Sequence, residues 1–276
     1  MKYYIVDAFT DKPFGGNPAG VVLLEADESP EERLMLQVAA ELRFSETAFV
    51  RRLSQTAYHL RYFTPTGEVE LCGHATIATF SLLHSLGLAD GRCRCHTMAG
   101  NLGIEAGERI LMEMASPKIV KTIDDSRDIY KALGLDGYRP ELPVQVAYAG
   151  LEDIMIPVPD KRTLNTLQPD MAAVADISRT LKATSFHVFT LTEDYTAHVR
   201  DFAPLCGIPE ESATGTANAA LTHYLAVNGI VPRQGDFEFL QGEAMGRPSK
   251  VATRIAPDGT IYVGGTAAIV AEGNIL

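Results

Sequence analysis

The first half of the chain alternates short apolar runs with turn clusters at close spacing. Tyr3–Phe9 reads as a strand, and GGNPAG at Gly15–Gly20 is a turn before the apolar run Val21–Leu24. A helix is predicted from Ser29: serine is a good N-cap, Pro30 fits the first helical position, and Glu32 completes a capping box. Leu34, Val38 and Leu42, with Leu36 and Ala40, supply its apolar stripe. Ser45–Arg52 and Ala57–Phe63 read as two strands, followed by a polar loop over Thr64–Cys72. The segment HATIATFSLLHSL at His74–Leu86 is small and apolar nearly all round, which places a helix in the middle of a fold. Short strands then follow around Arg92–Met98, Asn101–Glu105 and Arg109–Met114.

A repeat organises these elements. Arg61-Tyr62-Phe63-Thr64-Pro65 is echoed by Arg200-Asp201-Phe202-Ala203-Pro204, and Gly73-His74-Ala75 by Gly215-Thr216-Ala217. Each glycine opens an apolar helical run that ends at a second glycine, Gly87 and Gly229. Upstream, Ser45–Phe49 lies against Ser185–Phe189, which sets Glu46 against Phe186, and Gly16–Val22 lies against Gly150–Ile156. Matches in one order, about 140 residues apart, indicate two copies of one domain. The boundary is expected near Ser116–Pro117, before a helix at Asp125–Leu133, giving domains 1–117 and 118–265. The expected fold class is α+β: two pseudo-symmetric domains, each a curled mixed sheet or barrel around one central helix.

Length agrees, since 276 residues over roughly 150 per domain is about two. Hydrophobic residues at 46% and charged ones at 21% exclude disorder and low complexity. The net charge of −11 speaks against nucleic acid or an anionic membrane as partner. No apolar run approaches the roughly 18 residues of a membrane span, and MKYYIVDAFT reads directly into a strand, so no signal segment is expected. Four cysteines (Cys72, Cys93, Cys95, Cys206) do not make a disulfide framework. A cytoplasmic protein acting on a small anionic metabolite is expected, with a homodimer as the default assembly.

The two central helix ends, at Gly73/His74 and Gly215/Thr216, are preceded by hydroxyl- or thiol-bearing residues. Unpaired N–H groups and the positive dipole end make such termini natural carboxylate sites. Two-fold packing of the halves would turn both toward one cleft. In strand periodicity Glu46 shares a face with Phe44, Ala48 and Val50. It is either desolvated there, which raises its pKa and suits it to acid/base work, or solvated at a strand edge. Cys72 is either a nucleophile at a helix end or a buried structural thiol; its counterpart Thr214 gives no matched pair of bases for a racemase. His74, in the first helical turn, is either a neutral imidazole able to donate or relay a proton or a satisfied buried histidine. Glu210 and Glu211 are either functional acids or dipole-complementing charge. Cys93-x-Cys95 has no second cluster at ligand spacing, and no nucleotide-binding signature is present, so neither metal nor cofactor is expected.

These residues resemble the phenazine biosynthesis PhzF-like family. The resemblance rests on VDAFTDKPFGGNPAGVV at Val6–Val22, FSETAFV at Phe44–Val50, RYFTPTGEVELCGHATIA at Arg61–Ala78 and RDFAPLCGIPEESATGTANAAL at Arg200–Leu221. It implies a diaminopimelate epimerase-like fold, in which the last strand, Thr266–Ile275, returns to the first domain so that residues 266–276 complete it. It implies Glu46 as the proton-shuttling acid/base, His74 as the family histidine, and Asn17 as the asparagine of the GNPA turn. The family commonly has Glu-Asp-Pro where this chain has Glu210-Glu211-Ser212, and serine where it has Thr216, so Glu211 and Thr216 keep the functional groups on altered side chains. The implied activity is cofactor-independent isomerisation like that of trans-2,3-dihydro-3-hydroxyanthranilate. Glu46, His74 and Glu211 would carry the chemistry, and Asn17, Gly73, Gly215 and Thr216 would bind substrate. The alternatives are an amino- or hydroxy-acid epimerase or dehydratase using Cys72, and a metabolite-binding protein without turnover.

Overall fold

In the computed structural model, which describes residues 1–276, the chain forms two compact units, Met1–Glu113 with Gly264–Leu276, and Met114–Val263. In the first, strand Lys2–Ala8 pairs antiparallel with both Asn17–Leu24 and the last strand, Ala267–Asn274. Asn17–Leu24 runs parallel to Thr47–Arg52, which pairs antiparallel with Ala57–Thr64. Ala57–Thr64 holds the short strand Gly67–Val69 near one end and runs parallel to Gly91–Thr97 near the other. Gly100–Ala106 and Ile110–Glu113 continue as an antiparallel meander. The sheet curls, because helix Gly73–Ser85 packs against strands from both its ends. Nine of the helix's thirteen residues are buried, as its all-round apolar sequence requires.

The second unit repeats this order and these directions. Lys118–Thr122, Gln145–Tyr148 and Glu152–Pro157 pair antiparallel in turn, and Glu152–Pro157 runs parallel to Ser185–Thr190. Ser185–Thr190 pairs antiparallel with Ala197–Ala203, which holds the short strand Ile208–Glu211. Ala197–Ala203 also runs parallel to Gly235–Gln241, itself antiparallel to Ser249–Ile255. The central helix is Gly215–Val227.

The Arg-x-Phe echo has a physical basis. Arg61 stacks over Phe63 and Arg200 over Phe202, with 5.1 and 4.8 Å from guanidinium to ring centre. Each guanidinium then grips a carboxylate of the short strand, Glu68 at 2.6 Å and Glu210 at 2.8 Å. The pair ties the short strand to its neighbour just ahead of each central helix. A paired charge that closes a hydrogen-bonded fork tolerates the burial this position imposes.

Three local expectations are corrected. The first helix is Glu32–Leu42, capped at Glu31 rather than Ser29, and it has no side-chain cap bond. Glu32 does not reach back to close a capping box; its carboxylate lies 3.4 Å from Arg61 Nη2. The buried stripe is therefore Met35, Val38 and Ala39, with Leu34 exposed. The helix predicted at Asp125–Leu133 is Arg127–Ala132, because Asp125 folds its carboxylate onto Arg127 outside the helix. The repeat register near Glu46 is shifted by one. Thr47 lies opposite Phe63, and Phe186 opposite Phe202, so Glu46 corresponds to Ser185 and not to Phe186. No helix is long and apolar enough to cross a membrane.

Candidate active site

The end of helix Gly73–Ser85 gathers four side chains within the first unit. Cys72 is the N-cap residue, in extended conformation, and makes no side-chain cap bond to the helix. His74 follows one residue into the helix and is buried. Its Nε2 lies 3.4 Å from Glu46 Oε2 and 3.4 Å from Ser45 Oγ, while its Nδ1 lies 3.4 Å from Cys72 Sγ. Glu46 sits immediately before strand Thr47–Arg52, where its carbonyl accepts the Gly20 N–H at 3.2 Å. That backbone bond fixes the start of the strand and aims the carboxylate at the helix end.

Two details differ from the sequence expectation. Phe44 and Ser45 form a bend and Glu46 precedes the strand, so alternation starts only at Thr47 and the apolar face shared with Phe44 is not built. The Glu46 side chain keeps 18% exposure, against 8% for His74, so the acid stands at the mouth of the cluster with the imidazole beneath it. Burial pushes the His74 pKa down from its ordinary value, and the smaller pull of the Glu46 charge acts the other way. The positive end of the helix dipole acts in the same direction as burial. The imidazole is thus neutral near pH 7, with one nitrogen a donor and the other an acceptor. We expect ¹⁵N NMR of His74 to show a neutral ring at pH 6.5, where an ordinary histidine is half protonated. A half-protonated signal there would remove the relay.

Glu46, Cys72 and His74 offer a carboxylate, a thiol and an imidazole within 4.8 Å of one another, a set that can hold a metal ion. The carboxylate lies nearest Nε2 and the thiol nearest Nδ1, so the ring stands between the two groups, as a proton relay requires. Cys93 and Cys95 lie on strand Gly91–Thr97; burial raises both thiols, that of Cys95 to about 12. Thiols held protonated in this way are poor ligands. Asn17 is buried at the start of its strand, opposite Ala8 and directly after the Gly15-Gly16 turn.

In the second unit, Thr214 is the N-cap residue of helix Gly215–Val227 and likewise makes no cap bond. Gly215 and Thr216 are the first two residues of that helix. Glu211 ends strand Ile208–Glu211, and its carbonyl accepts from Gln241 Nε2 at 2.9 Å. Of the two adjacent acids, Glu210 has its carboxylate gripped at both oxygens by Arg200. Each helix end is therefore assembled with its own glycine and its own uncapped first turn.

The sequence reading missed a buried cluster beside the second helix end, formed by Asp153, Ser185, His187 and Asp201. A signal for it was present. Asp201 stands where the first copy has Tyr62, in a strand otherwise read only for its arginine, phenylalanine and proline.

Comparison with known proteins agrees with this architecture. The family model for PhzC-PhzF, phenazine biosynthesis-like protein, matches residues 6–273. An uncharacterized isomerase of Deinococcus radiodurans is 36% identical, over 99% of this chain and 94% of that protein. A PhzF-family phenazine biosynthesis protein of Bacillus anthracis superposes with a TM-score of 0.89 at 27% identity, covering 100% of this chain and 99% of that one. A predicted epimerase of Pseudomonas aeruginosa superposes with a TM-score of 0.81 at 25% identity, covering 100% and 99%.

Proposed function

Because the chain belongs to the PhzC-PhzF family of phenazine biosynthesis-like proteins, we propose that it is a cofactor-independent isomerase acting on a small carboxylate-bearing metabolite. The observation that carries the reading is the Glu46–His74 contact of 3.4 Å at an uncapped helix end. Glu46 takes a proton from a substrate carbon and returns it at another carbon of the same allylic system. A single acid works from one face, so the outcome is migration of a double bond rather than inversion of a centre. His74, neutral and fixed by burial, orients the carboxyl group and relays its proton. Helix-end N–H groups bind carboxylate: Gly73 at the first central helix, and Gly215 and Thr216 at the second. Asn17 binds substrate beside the first turn, and Glu211 orients it.

The test is turnover of trans-2,3-dihydro-3-hydroxyanthranilate, followed by NMR in D₂O alongside a panel of small unsaturated carboxylates. Double-bond migration in at least one supports the reading, and binding without turnover or exchange across the panel overturns it. The Cys72 thiol lies within 3.4 Å of His74, so an epimerase or dehydratase using it is the second reading. The thiol is buried, however, and reactive cysteines are accessible ones. Cys72→Ser is expected to keep activity within about tenfold, since general acid/base catalysis by a required group supplies about 10²–10⁴-fold. A loss of that size, matched by inactivation with a thiol alkylator and protection by substrate, would transfer the chemistry to Cys72.

A further inference from the structure

Within the second unit, three adjacent strands bury two carboxylates around a single hydroxyl. Asp153 faces Ser185 across one strand pair, and His187 faces Asp201 across the next. All four side chains are essentially inaccessible to water. Ser185 Oγ lies 2.9 Å from Asp153 Oδ1 and 2.7 Å from Asp201 Oδ1. A hydroxyl has one proton and donates once. With both carboxylates ionised, one of these two contacts would join two oxygens with no hydrogen between them.

The remaining partners decide which acid carries the missing proton. His187 Nδ1 lies 2.8 Å from Asp201 Oδ1, and Thr214 Oγ1 lies 3.0 Å from Asp201 Oδ2, so Asp201 accepts from three donors. Asp153 has only Ser185, and its Oδ2 has no partner. The arrangement that satisfies every contact is Asp153 donating to Ser185, Ser185 donating to Asp201, and a neutral His187 donating from Nδ1. The unpartnered His187 Nε2 fits that tautomer, because an N–H left buried there would cost more than a bare lone pair. Burial and the neighbouring Asp201 charge push the Asp153 carboxyl well above the usual carboxylate range, in agreement with the hydrogen count.

The consequence lies at Thr214. A threonine at an N-cap ordinarily accepts a bond from an N–H two or three residues on. Here its hydroxyl donates to Asp201 and accepts from Gln241 Nε2 at 3.1 Å. Gln241 Oε1 in turn accepts the Thr214 N–H and the Asn218 amide. The cap residue is thus bound from behind, and its side chain does not cap the helix.

We propose that Asp201 is a positioning residue: as the ionised member of this cluster it holds the Thr214 hydroxyl away from the helix end, keeping the first-turn N–H groups open to the substrate carboxylate. The proposal rests on the assignment of Gly215 and Thr216 to carboxylate binding. It calls for Asp201→Asn, which keeps the shape of the side chain and removes the charge that fixes the direction of these bonds.

The test is NMR on the full chain as wild type, D201N, T214A and D201N/T214A. In wild type at pH 6, the ¹³C carboxyl signal of Asp153 should be that of a neutral acid and that of Asp201 a carboxylate. In D201N, amide exchange at Thr216 or Ala217 should slow by about tenfold as the freed hydroxyl caps the helix, the size of one net hydrogen bond. The slowing should be absent in D201N/T214A, which has no hydroxyl to cap with. With trans-2,3-dihydro-3-hydroxyanthranilate, KM should rise about tenfold in D201N at nearly constant kcat and recover in the double variant. Unchanged exchange in D201N, or an ionised Asp153 in wild type, overturns the proposal; the wild-type spectrum decides it even where D201N fails to fold. Absence of turnover in wild type would refute this substrate and leave the exchange result to judge Asp201.

Discussion

Replacing Glu46 by glutamine is expected to lower kcat by more than about a hundredfold while the protein folds normally. Glutamine keeps the size and the hydrogen-bonding reach of the side chain but takes no proton from carbon. The fold does not depend on the charge: the side chain stands partly open to water, and the strand is fixed by the Glu46 carbonyl rather than by its carboxylate. KM should change little, because carboxylate binding is assigned to helix-end donors and not to this acid. Glu46→Asp tests geometry separately. Withdrawing the carboxylate by one methylene keeps the chemistry and should leave intermediate activity. A Glu46→Gln variant with near-normal turnover would remove Glu46 from the mechanism.

Gly16→Ala is expected to destabilise the chain by roughly 2–5 kcal/mol, combining a left-handed backbone with overpacking. Gly16 has φ +61°, and a Cβ built there would run into the Ala8 carbonyl oxygen and lie 2.9 Å from Thr10 Cγ2. The turn packs this tightly because it returns the chain directly onto strand Lys2–Ala8, with Asn17 opposite Ala8. Gly87→Ala is the control. It has φ +68° but nothing within 4 Å, so it carries only the backbone strain, roughly 1–2 kcal/mol. Urea unfolding should show a lower midpoint for Gly16→Ala than for the control at unchanged m-value. Equal midpoints would show that the turn yields to the extra methyl.

The repeat was legible because its letters report contacts made twice. Arginine stacks on phenylalanine in each copy, and each central helix has to be apolar on all sides because a curled sheet surrounds it. Where a match had no contact behind it, the reading slipped. Ser45 and Ser185 share a letter, but the pairing of Thr47 with Phe63 and of Phe186 with Phe202 puts Glu46 against Ser185. A slip of one residue exchanges the two faces of a strand, so the apolar site inferred from Phe186 belonged to the wrong face. The capping box failed for a related reason. Ser29 and Pro30 satisfied a local rule, while a distant partner, Arg61, lay within reach of Glu32.

The same division holds for the candidate site. Glu46 and His74 are 28 positions apart in the chain, and only their place in the motifs joined them before the structure brought them within 3.4 Å. Cys72, His74 and Gly73 were readable as one helix end because they are consecutive. The cluster around Asp201 was not readable, since its members come from three strands joined by sheet register rather than by sequence spacing. Its corrected counterpart adds meaning to the repeat. The position that holds Glu46 in one copy holds Ser185 in the other, inside a buried network of hydrogen bonds. One copy carries the proposed acid, and the other uses the equivalent position to support a helix end.

A crystal structure of Glu46→Gln with trans-2,3-dihydro-3-hydroxyanthranilate bound tests Glu46 as the proton-shuttling acid most directly. The substrate carboxylate should lie on first-turn helix N–H groups, with the reacting carbon within about 3.5 Å of the side chain at position 46. A complex in which that carbon lies against Cys72 Sγ, out of reach of position 46, would contradict it.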